Sequence, residues 1–137
     1  MNQIPPADSI SYEYRFQVKE EDLDDLNHVN NVVYLKWVND ISEIHWNRIA
    51  DKELLSKYYW VVLRHEIDYL NQAVLGDEIR IVTWIGDSKG VRSVRHVYMF
   101  LNDKPLIRAS SIWCLIDSAS LRPTRIKEDI LKILNLI

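Results

Sequence analysis

Asn30-Asn31-Val32-Val33-Tyr34-Leu35-Lys36-Trp37-Val38-Asn39-Asp40-Ile41-Ser42-Glu43-Ile44-His45-Trp46-Asn47-Arg48-Ile49 is the stretch whose period decides the fold. Lys36, Asp40, Glu43 and Asn47 follow one another at spacings of four, three and four, which draws one polar stripe on an α-helix. The remainder is almost all apolar: Val33, Tyr34, Trp37, Val38, Ile41, Ile44 and Trp46. A helix wet on so narrow a strip is expected to be buried round most of its circumference and to form the core of a domain.

On its N-terminal side, residues 10–19 change to a period of two. Ile10, Tyr12, Tyr14, Phe16 and Val18 alternate with Ser11, Glu13, Arg15, Gln17 and Lys19, the pattern of a half-buried strand. An acidic loop without apolar period, Glu20 to Asn27, joins this strand to the helix. Beyond the helix, residues 59–70 predict a strand with Val61, Leu63, Ile67 and Tyr69 on one face and Arg64, Glu66 and Asp68 on the other. The chain then turns through Gly76. Residues 78–85 alternate again, and Gly86-Asp87-Ser88-Lys89-Gly90 reads as a hairpin turn, because Gly and Asp tolerate positive φ. Residues 91–101 and 106–116 form a second hairpin around Asn102-Asp103-Lys104-Pro105. At the end, Thr124 is the expected N-cap of a short helix with an Ile126, Ile130, Ile133, Ile137 stripe. The expected order is strand, long buried helix, four meandering antiparallel strands and a short helix. One sheet wrapped around one helix is an α+β arrangement, here a single domain over 1–137.

Composition narrows the classes. A chain of 137 residues can bury a core without a disulfide or metal staple. Cys114, the sole cysteine, has no intrachain partner, which fits a reducing compartment. No apolar run approaches the ~18–20 residues of a membrane span. Residues 1–6 have neither a basic nor an apolar leader region, so a cytoplasmic location is expected. With 17 basic and 20 acidic side chains the net charge is −3, a poor match to duplex nucleic acid.

Several kinds of site can be set aside. The chain has no Gly-x-Ser-x-Gly elbow, and Gly86 to Gly90 lacks the end of a phosphate-binding P-loop. His28, His45, His65 and His96 stand about twenty residues apart, without ligand company at metal-site spacing. Asp22 to Asn27 begins like a calcium loop but places Leu26 and Asn27 where an oxygen ligand and a glycine belong. No metal or redox cofactor is expected. What remains is the loop-to-helix junction, where Asp24, His28, Asn30 and Asn31 gather ahead of a helix N-terminus. The free N–H groups there favour an anion or a polarised carbonyl oxygen. A carboxylate facing an acyl carbon, with amides facing its oxygen, supplies the parts of acyl transfer. The plainer explanation makes Asp24 and Asp25 solvated loop charges and Asn30 or Asn31 a helix cap, and spacing alone favours it.

The block Asp24-x-x-x-His28-Val29-Asn30-Asn31-x-x-Tyr34-x-x-Trp37 resembles the hotdog-fold acyl thioesterases, both the 4-hydroxybenzoyl-CoA thioesterase group and the short acyl-ACP or acyl-CoA thioesterases. Glu66-Ile67-Asp68-Tyr69-Leu70 followed by Gly76-Asp77-Glu78 resembles the second and third strands of that family. Ala109-x-x-x-Trp113-x-x-Ile116-Asp117, then Arg122-Pro123, resembles its last strand and exit. The likeness runs over roughly residues 10–130.

The resemblance implies a five-stranded antiparallel sheet curled around the long helix, and a role in fatty acid metabolism. It implies a homodimer or homotetramer with acyl sites at subunit interfaces, and an acyl-CoA or acyl carrier protein thioester as substrate. Asp24 falls on the family's catalytic carboxylate, nucleophile or general base, and Asn31 on the helix-start amide that polarises the thioester carbonyl. His28 and Asn30 would orient water, substrate or Asp24. Two places depart from the pattern: Leu26 stands where plant members often carry Asn, and Asn31 where some bacterial relatives carry a catalytic His. Tyr34 is a substrate-binding candidate. Lys89, Arg92 and Arg95 around the predicted hairpin turn, and Arg122, Arg125 and Lys127 near the end, can hold CoA phosphates, although solvated surface charge is the commoner role. Two other functions stay open: a hotdog hydratase or dehydratase, and an acyl-CoA binder without turnover.

Overall fold

A computed structural model describes residues 3–136. Its strands are β1 (Ser11–Gln17), β2 (Tyr58–Tyr69), β3 (Glu78–Lys89), β4 (Arg92–Leu101) and β5 (Lys104–Asp117), and its helices α1 (Asn31–Ile49), α2 (Lys52–Lys57) and α3 (Glu128–Ile133). The strands form one five-stranded antiparallel sheet in the order β1-β3-β4-β5-β2, with α1 packed against it. This is the expected hotdog arrangement.

The core follows from two periods meeting. Tyr34, Trp37, Val38 and Ile41, on one side of α1, pack with Ile79, Ile81, Val97, Met99 and Ile107 of the central strands. A second cluster joins Trp46 and Leu54 to Ile85, Leu115, Ile126 and Ile130, so α3 closes the end of the sheet beyond α1. β1 alternates as expected, with Tyr12, Tyr14 and Phe16 partly buried against the core.

The structure corrects the sequence reading at six points. β2 does not meander into β3; it crosses the molecule to pair with β5 and becomes a sheet edge. A register shift between Val62 and Arg64 inserts a residue, so Val61 and Leu63 point outward while Ile67 packs on the core. The expected shared face of those three residues is split there. The helix α2 has no counterpart in the expected order; the Leu54 N–H donates to the Asp51 carboxylate at 2.9 Å, capping it. β3 runs on to Lys89, a shift between Ile85 and Ser88 absorbs Gly86 and Asp87, and Gly90, with φ of 64°, makes the turn. Thr124 caps nothing: the segment before α3 is extended, and the Thr124 N–H donates to Leu115 C=O at 2.9 Å. Ile137 of the expected stripe lies outside the described residues. Finally, α1 is wetter than its composition suggests, with Val32 and Ile44 exposed, because a single sheet covers only one side of it.

Candidate active site

The junction ahead of α1 is built from backbone hydrogen bonds that fold the acidic loop onto itself. Leu23 and Val29 face each other as an antiparallel bridge, and the Asp24 N–H donates to His28 C=O at 2.8 Å. Between them the chain makes a tight turn through Asn27, whose φ is 61°. Asn tolerates that left-handed conformation better than most side chains. Oδ1 of Asp24 accepts the N–H groups of Leu26 at 2.9 Å and His28 at 3.2 Å. Oδ2 of the half-buried carboxylate has no hydrogen-bond partner among the described residues.

The helix starts one step later. Asn30 is the N-cap: its Oδ1 accepts the Val32 N–H at 3.0 Å, while its C=O accepts those of Val33 and Tyr34. Asn31 opens α1 with its side chain exposed, and among the described residues its N–H has no acceptor. Unpaired N–H groups of this kind give a helix N-terminus its affinity for negative oxygen. The hydroxyl of Tyr69, at the far end of β2, donates to Asn31 C=O at 3.4 Å. The Val29 N–H donates to Ala73 C=O at 3.0 Å, and His28 bridges Val74, so the loop between β2 and β3 braces the turn. His28 is partly buried, and its Nδ1 is enclosed without a partner. A shallow hollow of about 340 Å³ beside it is lined by Leu23, Leu26, Asn27, His28, Val74 and Leu75.

The structure therefore gathers Asp24, His28, Asn30 and Asn31 at one junction. It separates the other candidates. Tyr34 is 1% exposed in the core, and its Oη accepts the Ala73 N–H at 3.1 Å, so in this chain it braces the junction from beneath and offers substrate no surface. Lys89 and Arg92 are exposed cross-strand partners at the tip of the β3–β4 hairpin. Arg95 does not join them. One strand face inward, it is 6% exposed under α1, because period two along β4 sends Ser93, Arg95, Val97 and Met99 to the core side. The Ile126 N–H donates to Gly90 C=O at 2.8 Å, which brings the exposed Arg125 and Lys127 beside the same hairpin tip. Two basic groups that are distant in sequence thus meet at one end of the molecule.

A second, larger cavity is not expected from the sequence. It measures about 720 Å³, lies between the second half of α1 and the sheet, and is walled by Trp46, Tyr58, Trp60, Val62, Ile85 and Leu134. Its polar lining includes Asn39, Ser93, Arg95 and Trp113. The inward face of β4 was the available signal, but Val94, Tyr98 and Phe100 make its other face apolar too, so alternation there does not name the buried side. Inside, Nη1 of Arg95 donates to His45 Nδ1 at 2.8 Å and Thr83 Oγ1 at 3.0 Å. Burial, then the charges of Arg95 and Arg48, push the His45 imidazole down to about 4, so it is neutral at physiological pH. No group of three His, Cys, Asp or Glu side chains among the described residues is placed to hold a metal ion, and no helix there is long and apolar enough to cross a membrane.

The same architecture recurs in known proteins. No curated protein matches the chain. Among solved structures, a thioesterase of Thermus thermophilus, complexed with coenzyme A and Zn, superposes with a TM-score of 0.79 at 25% identity, over 89% of this chain and 90% of that one. The 1,4-dihydroxy-2-naphthoyl-CoA thioesterase of Synechocystis gives 0.77 at 15% identity, over 90% and 95%. The 12:0-ACP thioesterase of Umbellularia californica gives 0.78 at 15%, over 93% of this chain and 51% of that one, so this chain spans about half of it. The model of the acyl-ACP thioesterase N-terminal domain matches residues 9–134. With that match over nearly its whole length, and with the sheet and central helix described above, the chain belongs to the acyl-ACP thioesterase N-terminal domain family of hotdog proteins.

Proposed function

We propose that this protein hydrolyses an acyl thioester of coenzyme A or of acyl carrier protein, with Asp24 as the catalytic carboxylate. One observation carries the reading. Asp24 has one oxygen held by two backbone amides, just before the helix that Asn31 opens, and among the described residues its other oxygen and the Asn31 N–H are both unpaired. In the general-base route Asp24 takes a proton from water, and the resulting hydroxide adds to the thioester carbon. The tetrahedral oxyanion is stabilised by the Asn31 N–H and the helix dipole. Collapse expels the thiolate, which takes up the proton, leaving free acid and thiol. In the nucleophilic route Asp24 attacks the carbon itself and the thiolate leaves; water then cleaves the resulting acyl anhydride to free acid and the restored Asp24 carboxylate, and the thiolate takes up the released proton. His28 and Asn30 orient the reactants in either case. The reaction as written uses water and no metal or redox cofactor.

The edge position of β2 supports a homodimer. Twelve residues of unpaired strand edge, with Tyr59, Val61 and Leu63 exposed, form a surface that a second copy can extend. Antiparallel pairing about a two-fold axis sets the Tyr58 end of one β2 beside the Tyr69 end of the other. Since Tyr69 touches Asn31 and Tyr58 lines the cavity, the cavity of one copy then lies beside the helix start of its partner. Lys89, Arg92, Arg125 and Lys127 supply a cationic surface suited to the phosphates of CoA or of a carrier protein's prosthetic arm.

The test is thiol release from short, long and aromatic acyl-CoAs and from acyl carrier protein esters, with wild type and Asp24→Asn compared after blanking Cys114. Turnover by wild type that falls about a hundredfold or more in the variant supports the assignment. Retained turnover in the variant removes Asp24 from the chemistry. Binding without turnover on either class of ester makes the protein a binder.

A further inference from the structure

We infer that the cavity under α1 receives an acyl group whose far end carries a carboxylate, with Arg95 as the residue that selects it. The inference rests on the thioesterase reading for the word acyl. The cavity's preference for a carboxylate can be measured without turnover.

Arg95 carries a buried charge without a counter-ion among the described residues. Arg95 is 6% exposed, yet no carboxylate stands within 4.0 Å of it among the described residues. Both of its hydrogen-bond partners are neutral acceptors. The hydroxyl hydrogen of Thr83 is spent on His96 C=O at 2.8 Å, so Thr83 receives the guanidinium through an oxygen lone pair. His45 receives it through Nδ1. These bonds position the guanidinium and leave its charge in place. Buried charges are otherwise paired, because an unpaired one forfeits its hydration without return. Glu43 also lines the cavity, but it is exposed and makes no ion pair with Arg95.

Two residues of the lining also hold a buried polar atom without a partner among the described residues: Trp113 Nε1, a donor, and Asn39 Oδ1, an acceptor. Trp46, Trp60, Tyr58 and Ile85 make the walls apolar. A cavity with aromatic and aliphatic walls and a fixed guanidinium in its lining, with an indole N–H also unspent, complements a chain that is hydrocarbon along its length and anionic at its tip. A plain alkyl tip would leave the charge and the indole N–H unmatched.

Two comparisons test this. The first is kcat/KM for suberyl-CoA against octanoyl-CoA, which share eight acyl carbons and differ in the terminal carboxylate. The second is calorimetric binding of octanoate against octanamide to the intact protein, which needs no catalysis. Wild type is expected to favour the carboxylate partner in both by about tenfold, the factor that about 1.4 kcal/mol gives. Arg95→Met should bring both ratios to one or below. Arg95→Lys, which keeps the charge, should retain part of the preference if the Met variant does not fold. A wild-type preference for octanoyl-CoA, or octanoate binding no tighter than octanamide, overturns the inference. If no thioester is turned over but octanoate is preferred through Arg95, the cavity assignment stands and the thioesterase reading falls.

Discussion

The phenol oxygen of Tyr34 accepts the backbone N–H of Ala73 at 3.1 Å, tying the first turn of α1 to the loop between β2 and β3. Both residues are buried, at 1% and 0% exposure, and Ala73 C=O in turn accepts the N–H of Val29 just ahead of the helix. One residue thus joins the helix, the preceding turn and the β2–β3 loop. Tyr34→Phe keeps the ring but leaves a buried N–H without an acceptor, a loss of about 1–3 kcal/mol. Urea unfolding should show that drop with an unchanged m-value. A midpoint equal to wild type would show that the bond contributes nothing.

Asp24 has two separable duties, so two substitutions should differ. Asn keeps an oxygen at Oδ1 for the Leu26 and His28 amides, whereas Ala leaves both without their acceptor. Asp24→Ala should therefore be less stable than Asp24→Asn by about 1 kcal/mol, while both lose thioesterase turnover. Thermal melts beside thiol-release rates check this. Equal stability of the two variants would deny the turn-forming role.

Asn30 caps α1 through Val32, so Asn30→Ala should cost about 1 kcal/mol. Asn30→Asp should keep that stability, since a carboxylate is welcome at a helix N-terminus. It should nonetheless slow hydrolysis, because a second negative charge would sit beside the place where the oxyanion forms. Retained stability with reduced kcat is the expected pair of results. An unchanged kcat would place the oxyanion elsewhere.

His45 makes stability depend on pH. In the fold it stays neutral down to about 4, and the unfolded chain takes up the proton near the ordinary value of 6.5. Between those limits the unfolded state binds the extra proton, so stability falls as pH falls, by up to about 1.4 kcal/mol per pH unit. Above 6.5 this contribution is fully present and flat. His65 and His96, also held low by burial, act in the same direction. Urea titrations from pH 4.5 to 7.5 should show the slope, reduced in His45→Gln. An identical slope in that variant would assign it to other groups.

Much of the fold and the junction was legible in the residues. The helix over Asn31–Ile49, the alternation of β1 and the hairpin at Asn102 rest on local periods and turn chemistry, which operate within a few residues. Asp24, His28, Asn30 and Asn31 were legible for the same reason: they are near neighbours in the chain, and the turn that gathers them is closed by their own backbone groups. The bulge in β2 was not legible, because one inserted residue leaves the composition on either side unchanged and only reverses the faces.

The sequence by itself determined the helix, the strands, the turn ahead of α1 and, through the Asp24 to Trp37 block, the family. Tertiary structure alone decided that β2 lies beside β5 at an edge, that Tyr34 braces the junction from the core, and that Arg95 is buried beside His45 and Thr83. The physical reason is range. A period reports which residues share a face, but which face is covered depends on pairings between distant segments, and on β4 both faces were apolar enough to be inside. Burial then converts Arg95 from one more surface cation into a charge in the lining of a cavity, with no carboxylate beside it among the described residues.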